Sequence, residues 1–545
     1  MTAVEGKASH SPGEGVNGKG TVAGRYQAMS ANREPYLQRA RRMSALTVPS
    51  LFRENGADGS SDLSIPWQSL GAYGVNSLAA KRILAMFPPG TSFVKLDPTR
   101  KTLQSLLELT PTQRGQLKAE IDKGLSVVEK ELMDCMEEDG DRWRLFDATR
   151  HMMVGGNHAL KLGKDSVLQS IHLENYVTRR DKSGNLLEAI VEDVLSWDSL
   201  SSDVQEFCRQ QGHQLDDKKV IQDDIRLYTR IRKRAGKYHV EQEVCGGCVP
   251  GTEATYDPDA LPYLFLREVV LRGEHYGRSF VEDYEADLQT LDAHWQVLTE
   301  GGEGIAQVKW LVRPGGVTNK EQFSKLPNGG VMTGSIDDVA AARSEKTGDL
   351  AFMAAQADKI EKRLERVFLL YSSTQRSGER VTREEIITMR QDLDSSLGGI
   401  YANQETTFQQ PYARLKYISV TRQGRVTKLP QDKIKMRVLT GAAGLGRQKA
   451  ALDETEFLLD AAQIFGPEVL IPYVSVATYL NRSAANRSID TEGLIIPEEE
   501  VKAAQQQAQM QALSMQVAPE VVKQGGQMIQ NTQPQPAQAA PQEGA

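Results

Sequence analysis

The run FVEDYEADLQTLDAHWQVL, residues 280–298, decides the fold, because its apolar side chains recur in steps of four and three along one side of an α-helix. The apolar stripe consists of Phe280, Tyr284, Leu288, Leu291, Trp295 and Leu298. From Arg278 to Glu300 the segment carries six acidic residues against one arginine. A long amphipathic helix needs a partner to cover its stripe. We expect other copies of the same chain to provide it.

A second helix is predicted from Asp349 to Tyr371, with Ile360 and Leu364 on its apolar face. Between the two helices lies an insert broken by glycine and proline. Gly301, Gly302 and Gly304 are expected to end the first helix. The insert contains two short apolar runs, at residues 306–312 and 330–332. The side chains predicted to pack between subunits are Phe280, Tyr284, Leu288, Leu291, Trp295, Ile360 and Leu364.

A capping box at residues 382–385 predicts the start of a third helix, since Thr382 can accept from the amide of Glu385 and Glu385 can reach back. Gly398 and Gly399 lie inside this helix and cost on the order of 2 kcal/mol relative to alanine, which predicts a bend or a close crossing. The polar loop before the helix contains Gln375, Arg376, Ser377, Gly378, Glu379 and Arg380. Its arginines are either solvated or face a polyanion. The acids of the first helix are likewise either an exposed face or a repulsive channel wall.

The remaining chain reads as α+β, mainly helical. A helix is expected from Arg25, broken by Pro35 and ended by Pro49. Small residues around Gly71 and Gly74 predict close approach of another backbone. Residues 159–263 change to short alternating runs with turn signals, which predict hairpins at residues 180–185 and 235–236.

Composition excludes several classes of protein. Hydrophobic residues make up 39% of 545 residues, mean hydropathy is -0.44, and no apolar run of about 18 residues is present, so a membrane protein is not expected. Residues 1–24 lack the order of a signal peptide and are expected to be a flexible arm. Four cysteines are too few for a disulfide framework and indicate the reducing cytoplasm. A net charge of -7 argues against tight binding of nucleic acid.

No motif predicts catalytic chemistry, a cofactor or a metal. The glycine-rich run at residues 13–20 has Gly20 where a nucleotide-binding loop needs Ser or Thr, so we interpret it as a flexible leader. Cys245 and Cys248 form the one paired-cysteine motif, either a metal or redox site or a tight turn between strands, and the turn is favoured because Pro250 and Gly251 follow. Histidines are scattered, and neither a His-Glu-x-x-His nor a Gly-x-Ser-x-Gly motif is present.

Several runs together resemble the head-to-tail connector (portal) proteins of short-tailed bacteriophages. The runs that carry this resemblance are PSLF (residues 49–52), PWQ (66–68), NSLA (76–79), LAMFP (84–88), YGRS (276–279), QRSGERVT (375–382) and LGGIY (397–401). The resemblance extends from about Arg25 to Leu480, and residues 375–382 are its most specific part.

The resemblance implies a ring of twelve subunits at one capsid vertex, through which double-stranded DNA passes. The corresponding regions are a flexible arm (1–24), a wing (25–276), a first stem helix (277–300), a clip (301–346), a second stem helix (347–371), a tunnel loop (372–381), a long bent wing helix (382–429), a crown (430–501) and a disordered tail rich in Gln, Ala and Pro (502–545). Gln375 to Arg380 would then face the DNA. Twelve copies at -7 each sum to -84, so basic groups on one loop can touch phosphates without clamping them.

The partners implied by the resemblance are further copies of the chain, the terminase large subunit, a tail adaptor, and scaffolding and major capsid proteins. The protein is then expected in the virion, after assembly in the host cytoplasm. The motion of DNA would come from a separate ATPase. Two alternatives stay open on the residues alone: an oligomeric helical scaffold or adaptor that does not contact DNA, and an unrecognised hydrolase.

Overall fold

The computed structural model describes residues 21–54, 60–89, 92–100, 102, 104, 111–211, 224–306, 309–327, 329–342, 347–370, 403–430, 433–438, 456–464, 466, 479–480 and 507. The chain divides into two compact units. The first comprises Met1–Thr102 and Val127–Arg447, and the second Leu103–Ser126 and Gln448–Ala545. The second unit's described residues are mainly helical, at 111–126 and 456–464. All contacts below lie within the first unit.

The described residues form an α+β fold dominated by helices. The helices are α1 (Val22–Leu46), α2 (Leu70–Met86), α3 (Pro111–Glu138), α4 (Asp141–Gly155), α5 (Ser202–Gln210), α6 (Glu285–Ala306), α7 (Lys320–Lys325), α8 (Thr347–Val367) and α9 (Gln410–Arg422). The strands are β1 (Val94–Pro98), β2 (Asn157–Leu162), β3 (Leu168–Ile171), β4 (Tyr176–Arg180), β5 (Leu186–Ser196), β6 (Asp224–Arg234), β7 (Lys237–Val244), β8 (Gly247–Cys248), β9 (Ala254–Tyr256), β10 (Tyr263–Arg267), β11 (Lys309–Val312), β12 (Val339–Ala342) and β13 (Ile434–Val438). Among these helices none is long and apolar enough to span a bilayer.

All strand pairs among the described residues are antiparallel. The largest sheet has the order β4-β5-β6-β7-β8, with β9 also pairing with β7. A second sheet has the order β10-β2-β3, and two further pairs are β1-β13 and β11-β12. The predicted hairpins are confirmed, with β4-β5 joined across residues 181–185 and β6-β7 joined at Ala235 and Gly236. The CGGC motif is a turn between β7 and β8, where Cys245 and Gly246 both have positive φ.

Helix α1 continues through Pro35, so the expected break there is wrong. Proline removes one backbone hydrogen bond, but one buried face extends along both halves of the helix and holds them in line. That face comprises Tyr26, Met29, Arg33, Leu37, Ala40 and Met43. The first turn packs on the largest sheet, with the Tyr26 ring 5.5 Å from that of Tyr228. The Glu243 carboxylate accepts from the amides of Val22 (2.7 Å) and Ala23 (3.0 Å) and so caps the helix.

Helix α2 uses glycine for the close approach expected from its sequence. A Cβ atom at Gly71 would lie 2.6 Å from the Leu46 carbonyl oxygen, and one at Gly74 would lie 2.5 Å from the Phe368 ring. Neither position has room for a side chain. Helix α2 therefore meets both the end of α1 and the residue that follows α8.

Helix α6 passes through Gly301, Gly302 and Gly304 and ends at Ala306, so the expected end at these glycines is wrong. Gly301 has a packing role, because a Cβ atom there would lie 3.1 Å from Leu350 of α8. Two helices that approach this closely pack tightly enough to offset the low helix propensity of glycine. Helix α8 ends at Val367, four residues before the predicted end at Tyr371.

Candidate assembly and docking surfaces

Helices α6 and α8 form an antiparallel pair with an apolar interior. Leu288 and Leu291 of α6 and Leu364 of α8 have no exposed surface, and Ile360 is 9% exposed. The Phe280 ring, just before α6, meets the Phe368 ring edge-on at 6.2 Å. The predicted stripe is therefore real, but one chain covers most of it.

This burial corrects part of the expected subunit contact. Leu288, Leu291 and Leu364 present no surface to a neighbour, because α6 and α8 of one chain enclose them. Tyr284 is half-buried beside Phe280, with ring centroids 5.5 Å apart. Trp295 is 36% exposed at the edge of the pair, where its Nε1 donates to Glu361 at 2.8 Å. Of the predicted set, these two side chains retain accessible surface for a second copy.

The acidic row on α6 is partly neutralised within the chain. Asp287 pairs with Arg363 of α8 at 2.6 Å, and Glu285 pairs with Arg42 of α1 at 3.2 Å. Glu282, just before α6, pairs with Arg278 at 3.0 Å. Exposed acids such as Glu300 remain, and α6 contains no Lys or Arg. A uniformly repulsive wall is therefore not what this helix presents.

Helix α8 presents basic side chains on its outer side. Exposed Lys359, Lys362, Arg363 and Arg366 follow helical spacing over its last turns. Cations near the C-terminus of a helix are favoured by the helix dipole. Four acidic side chains accompany them, with Asp349 and Asp358 exposed and Glu361 and Glu365 half-buried, so α8 as a whole has no net charge.

Buried polar contacts fix the end of the helix pair to the rest of the unit. The Arg82 guanidinium pairs with Glu268, both side chains being fully buried, and lies 5.3 Å from the centre of the Phe280 ring. Gln404 donates to the same carboxylate at 2.8 Å. The neighbouring Lys81 donates to the carbonyl of Leu369, whose φ of 54° is in the left-handed region. Sequence reasoning missed this cluster because its members are far apart along the chain.

The insert between α6 and α8 is built around polar groups. Among residues 309–327 and 329–341, whose burial the structure describes, only Thr318 and Asp338 are buried. The Asp338 carboxylate accepts from the amides of Val317 (2.7 Å) and Thr318 (3.1 Å) and from the Thr318 hydroxyl (3.3 Å). Strand β11 pairs with β12, so the apolar run at residues 330–332 does not supply the partner strand.

The apolar side chains of the insert lie on its outside. They are Trp310 (54% exposed), Leu311 (63%), Val317 (85%), Val331 (96%) and Ile336 (91%). A two-stranded sheet is marginal alone, and large apolar side chains that stay exposed in such number are typical of a segment that contacts other molecules. We call these five residues the apolar insert surface.

Three histidines that the sequence scatters come together in the core. Their ring centroids are 4.8 Å apart for His151 and His158 and 5.2 Å apart for His151 and His172. Burial, followed by the charges of His151 and His172, lowers the pKa of His158 well below its usual range. The pKa of His172 is also lowered, mainly by burial. No spacing signal foretells this cluster, because α4, β2 and the end of the β2-β3 hairpin each supply one ring.

Two groups of predicted site residues lie outside the described part of the chain. The first is the predicted DNA-contacting loop, Gln375, Arg376, Ser377, Gly378, Glu379 and Arg380. The second is the predicted helix cap and bend, Thr382, Glu385, Gly398 and Gly399. Their roles stay predictions. In the described residues no group of three or more His, Cys, Asp or Glu side chains has the arrangement of a metal site.

The known proteins that are similar to this chain are head-to-tail connecting or portal proteins of bacteriophages. The family model described as "Bacteriophage head to tail connecting protein" matches residues 19–495. The portal protein of Escherichia phage T7 is 34% identical over 496 residues, covering 89% of this chain and 90% of that protein. The portal protein of Enterobacteria phage T3 is 31% identical over 488 residues, covering 88% and 89%.

A solved structure, the neck of a native gene transfer agent particle computed with C12 symmetry, is also similar. It covers 77% of this chain and 90% of the other at 11% identity, with a TM-score of 0.31. That score is too low for the two chains to be compared element by element.

Proposed function

The chain belongs to the bacteriophage head-to-tail connecting protein family, and from this premise we propose that its copies close into a ring at one capsid vertex. The ring would form the conduit for DNA entering and leaving the head. We propose twelve subunits, with double-stranded DNA on the ring axis. The protein acts at the head-to-tail junction of a podovirus-type particle.

The match of the family model to residues 19–495 carries this proposal. Helix α6 has no basic residue, whereas α8 exposes Lys359, Lys362, Arg363 and Arg366. In a ring whose head-to-tail contacts set the α6 side of one subunit against the α8 side of the next, Lys359, Lys362 and Arg366 would face acids of α6, while Arg363 already pairs with Asp287 of its own chain. Trp295, at the edge of α6, adds an aromatic side chain of the kind that anchors interfaces.

We assign the regions of the chain accordingly. Residues 25–276 form the wing, 277–300 and 347–371 the stem helices, 301–346 the clip, and 430–501 the crown, although α6 continues to Ala306. Residues 372–381 would form the tunnel loop, followed by the bent wing helix from 382, although α9 ends at Arg422 and not at the expected 429. Residues 1–20 would be a flexible arm, because Thr21 already caps α1 at Val22, and residues 502–545 would be a disordered tail.

The apolar insert surface would dock the other components of the vertex. We propose the terminase large subunit during packaging and the tail adaptor afterwards as its occupants, and the scaffolding and major capsid proteins as neighbours of the wing. Large apolar side chains ringed by polar ones are typical of protein interfaces. Assembly would occur in the host cytoplasm. We propose no catalytic role, cofactor or metal for this chain.

The oligomeric state tests the proposal directly. Native mass measurement and end-on electron micrographs of the full chain should show annular particles of about twelve subunits. A monomer or dimer under all salt conditions, with capsid components added, would falsify the ring. If rings form but particles package the same amount of DNA with and without the protein, the scaffold or adaptor function is favoured instead. Nucleotide turnover by the pure protein would favour the hydrolase.

The tunnel loop is tested by Arg376→Glu combined with Arg380→Glu. Rings should still form, and the amount of packaged or retained DNA should fall, because reversed charges repel phosphates on the axis. Rings that fill normally would show that this loop does not contact DNA.

A further inference from the structure

One end of the largest sheet gathers basic side chains from four elements. We call Arg25 of α1, Arg179 of β4, Arg230, Arg232 and Arg234 of β6 and Lys237 of β7 the basic sheet end. The strand register places Arg179 and Arg232 on either side of Glu188, Glu241 opposite Arg230, and Lys237 opposite Arg234. Directly opposed residues in antiparallel strands lie on the same face, so these bases share one surface.

The acidic side chains in this cluster are too few to neutralise it. Glu188, whose side chain is 4% exposed, accepts from Arg25 at 3.0 Å and from Arg230 at 2.6 Å. The guanidinium of Arg179 lies 3.6 Å from the same carboxylate. Glu241 pairs with Arg232 at 2.8 Å, and Asp257 pairs with Lys237 at 3.2 Å. Six bases minus these three acids leave +3, or +2 when the buried Glu243 on the same face of β7 is counted with them, on a chain whose total is -7.

The basic groups are both accessible and held in place. The side chains of Arg179 and Lys237 are 49% and 57% exposed, and Arg234 is exposed. Shared carboxylates orient the guanidinium groups in advance, which reduces the entropy lost when an anion binds. Burial, followed by the charge of Arg230, lowers the pKa of Arg232, as expected where positive charge is concentrated. Arginine nevertheless stays charged at neutral pH.

The composition of this surface distinguishes between kinds of anionic partner. Protein interfaces need a central apolar or aromatic anchor. Among the described residues the large exposed apolar side chains include none on β4 or β7, and on β5 and β6 only Val194, which lies opposite Arg226 at the far end. A flat basic surface without an apolar centre suits the sugar-phosphate backbone, which is held mainly by charge.

We propose that the basic sheet end binds the phosphate backbone of duplex nucleic acid, loosely and without sequence preference. This surface is distinct from the predicted tunnel loop at residues 372–381. The choice of nucleic acid as the partner rests on the proposed function, which brings DNA to the protein.

Covalently closed circular duplex DNA tests the proposal, because a closed circle cannot thread a preformed ring. Binding of the full chain to this DNA is measured by anisotropy across a range of salt concentrations. The test variant combines Arg179→Gln, Arg234→Gln and Lys237→Gln. A matched control, Lys164→Gln with Arg226→Gln and Arg272→Gln, removes the same charge from exposed positions elsewhere. Electron micrographs of each sample report ring formation.

The test variant should reduce the slope of log K against log salt by about 2 to 3, at about 0.9 for each phosphate that the protein no longer neutralises. The control should leave the slope within about 1 of the original. An equal reduction in both variants, an unchanged slope in the test variant, or preference for an acidic polypeptide over DNA would overturn the inference. If the unaltered protein forms no rings, the proposed function is contradicted. If rings form but DNA binding does not depend on the basic sheet end, this inference alone is contradicted.

Discussion

The helix pair and the insert that it carries place their apolar side chains in opposite ways. Helices α6 and α8 enclose Leu288, Leu291 and Leu364 within one chain. The insert encloses Asp338 and Thr318 and leaves Trp310 and Val331 outside. The pair therefore supports its own fold, whereas the insert is held by hydrogen bonds around Asp338 and leaves large apolar side chains exposed.

Contacts within one chain and contacts between copies give the same sequence pattern. A stripe at helical spacing shows that a helix face is covered, but not whether the same chain or another copy covers it. Only the three-dimensional arrangement assigns the interior of the pair to one chain, and its outer sides are those that we propose to contact neighbours. Substitutions that act on one side of this division and not the other can test it.

The largest effect is expected inside the helix pair. Leu288→Asp buries an unpaired carboxylate in a site with no exposed surface, which should cost more than about 4 kcal/mol and prevent stable folding of the pair. Trp295→Asp, at 36% exposure, should leave the fold intact and impair ring closure. Circular dichroism reports folding and native mass reports the ring. If the Leu288→Asp chain folds but does not form closed rings, Leu288 lies in the subunit interface and not in the interior of the helix pair.

The buried ion pair below the helix pair comes next. Arg82→Met should lower the free energy of unfolding by about 3–5 kcal/mol, because Glu268 is left as an unpaired buried charge. Combined with Glu268→Gln, the same change should cost much less. Denaturant unfolding of the two single variants and the double variant measures the coupling. Additive losses would show that the two residues act independently.

Acid pH should destabilise the core, which contains the histidine cluster, and not the insert, because residues 309–342 contain no histidine. The lowered pKa of His158 means that the folded state binds fewer protons than the unfolded state, so stability is lost as pH falls below about 6.5. Each proton taken up on unfolding contributes about 1.4 kcal/mol per pH unit. His158→Gln should flatten the fall in unfolding midpoint between pH 7.5 and 5.5. His239→Gln, outside the cluster, serves as the control, and an equal flattening there would contradict the assignment.

The smallest effect on stability is expected at the exposed apolar side chains of the insert. Val331→Ser and Ile336→Ser change side chains that are 96% and 91% exposed, so the free energy of unfolding should move by less than about 0.5 kcal/mol. Binding of the tail adaptor to assembled rings should nevertheless weaken, measured by co-sedimentation. The equally exposed polar change Ser324→Thr is the control. Undiminished binding by both serine variants would remove these residues from the docking surface.

Sequence periodicity and turn chemistry predicted the elements whose signals are local. The α6 stripe, the hairpins and the tight turn at Cys245 follow from residues within a few positions of each other. Glycine and proline misled where packing outweighs local preference. Pro35 stays inside α1 because a buried face runs past it, and Gly301 lets α8 approach instead of ending α6.

Contacts between distant parts of the chain had no sequence signal. Arg82 and Glu268 are 186 positions apart, and Thr318 and Asp338 are 20 apart with a helix between them. The histidine cluster likewise depends on how α4 meets the β2-β3 hairpin. The outline of the fold was therefore predictable, while the polar centres that fix it and the direction of each apolar surface were not.

The lateral ties between the two helices also have a mechanical consequence. Asp287 to Arg363 and Trp295 to Glu361 bridge α6 and α8, and the Leu350 side chain of α8 packs against Gly301 of α6. The insert is joined to both helices, so a force on the insert acts on α6 and α8 together. Sliding of one helix past the other would have to break all of these contacts at once. The pair should therefore behave as a stiff strut that transmits thrust and torque with little bending.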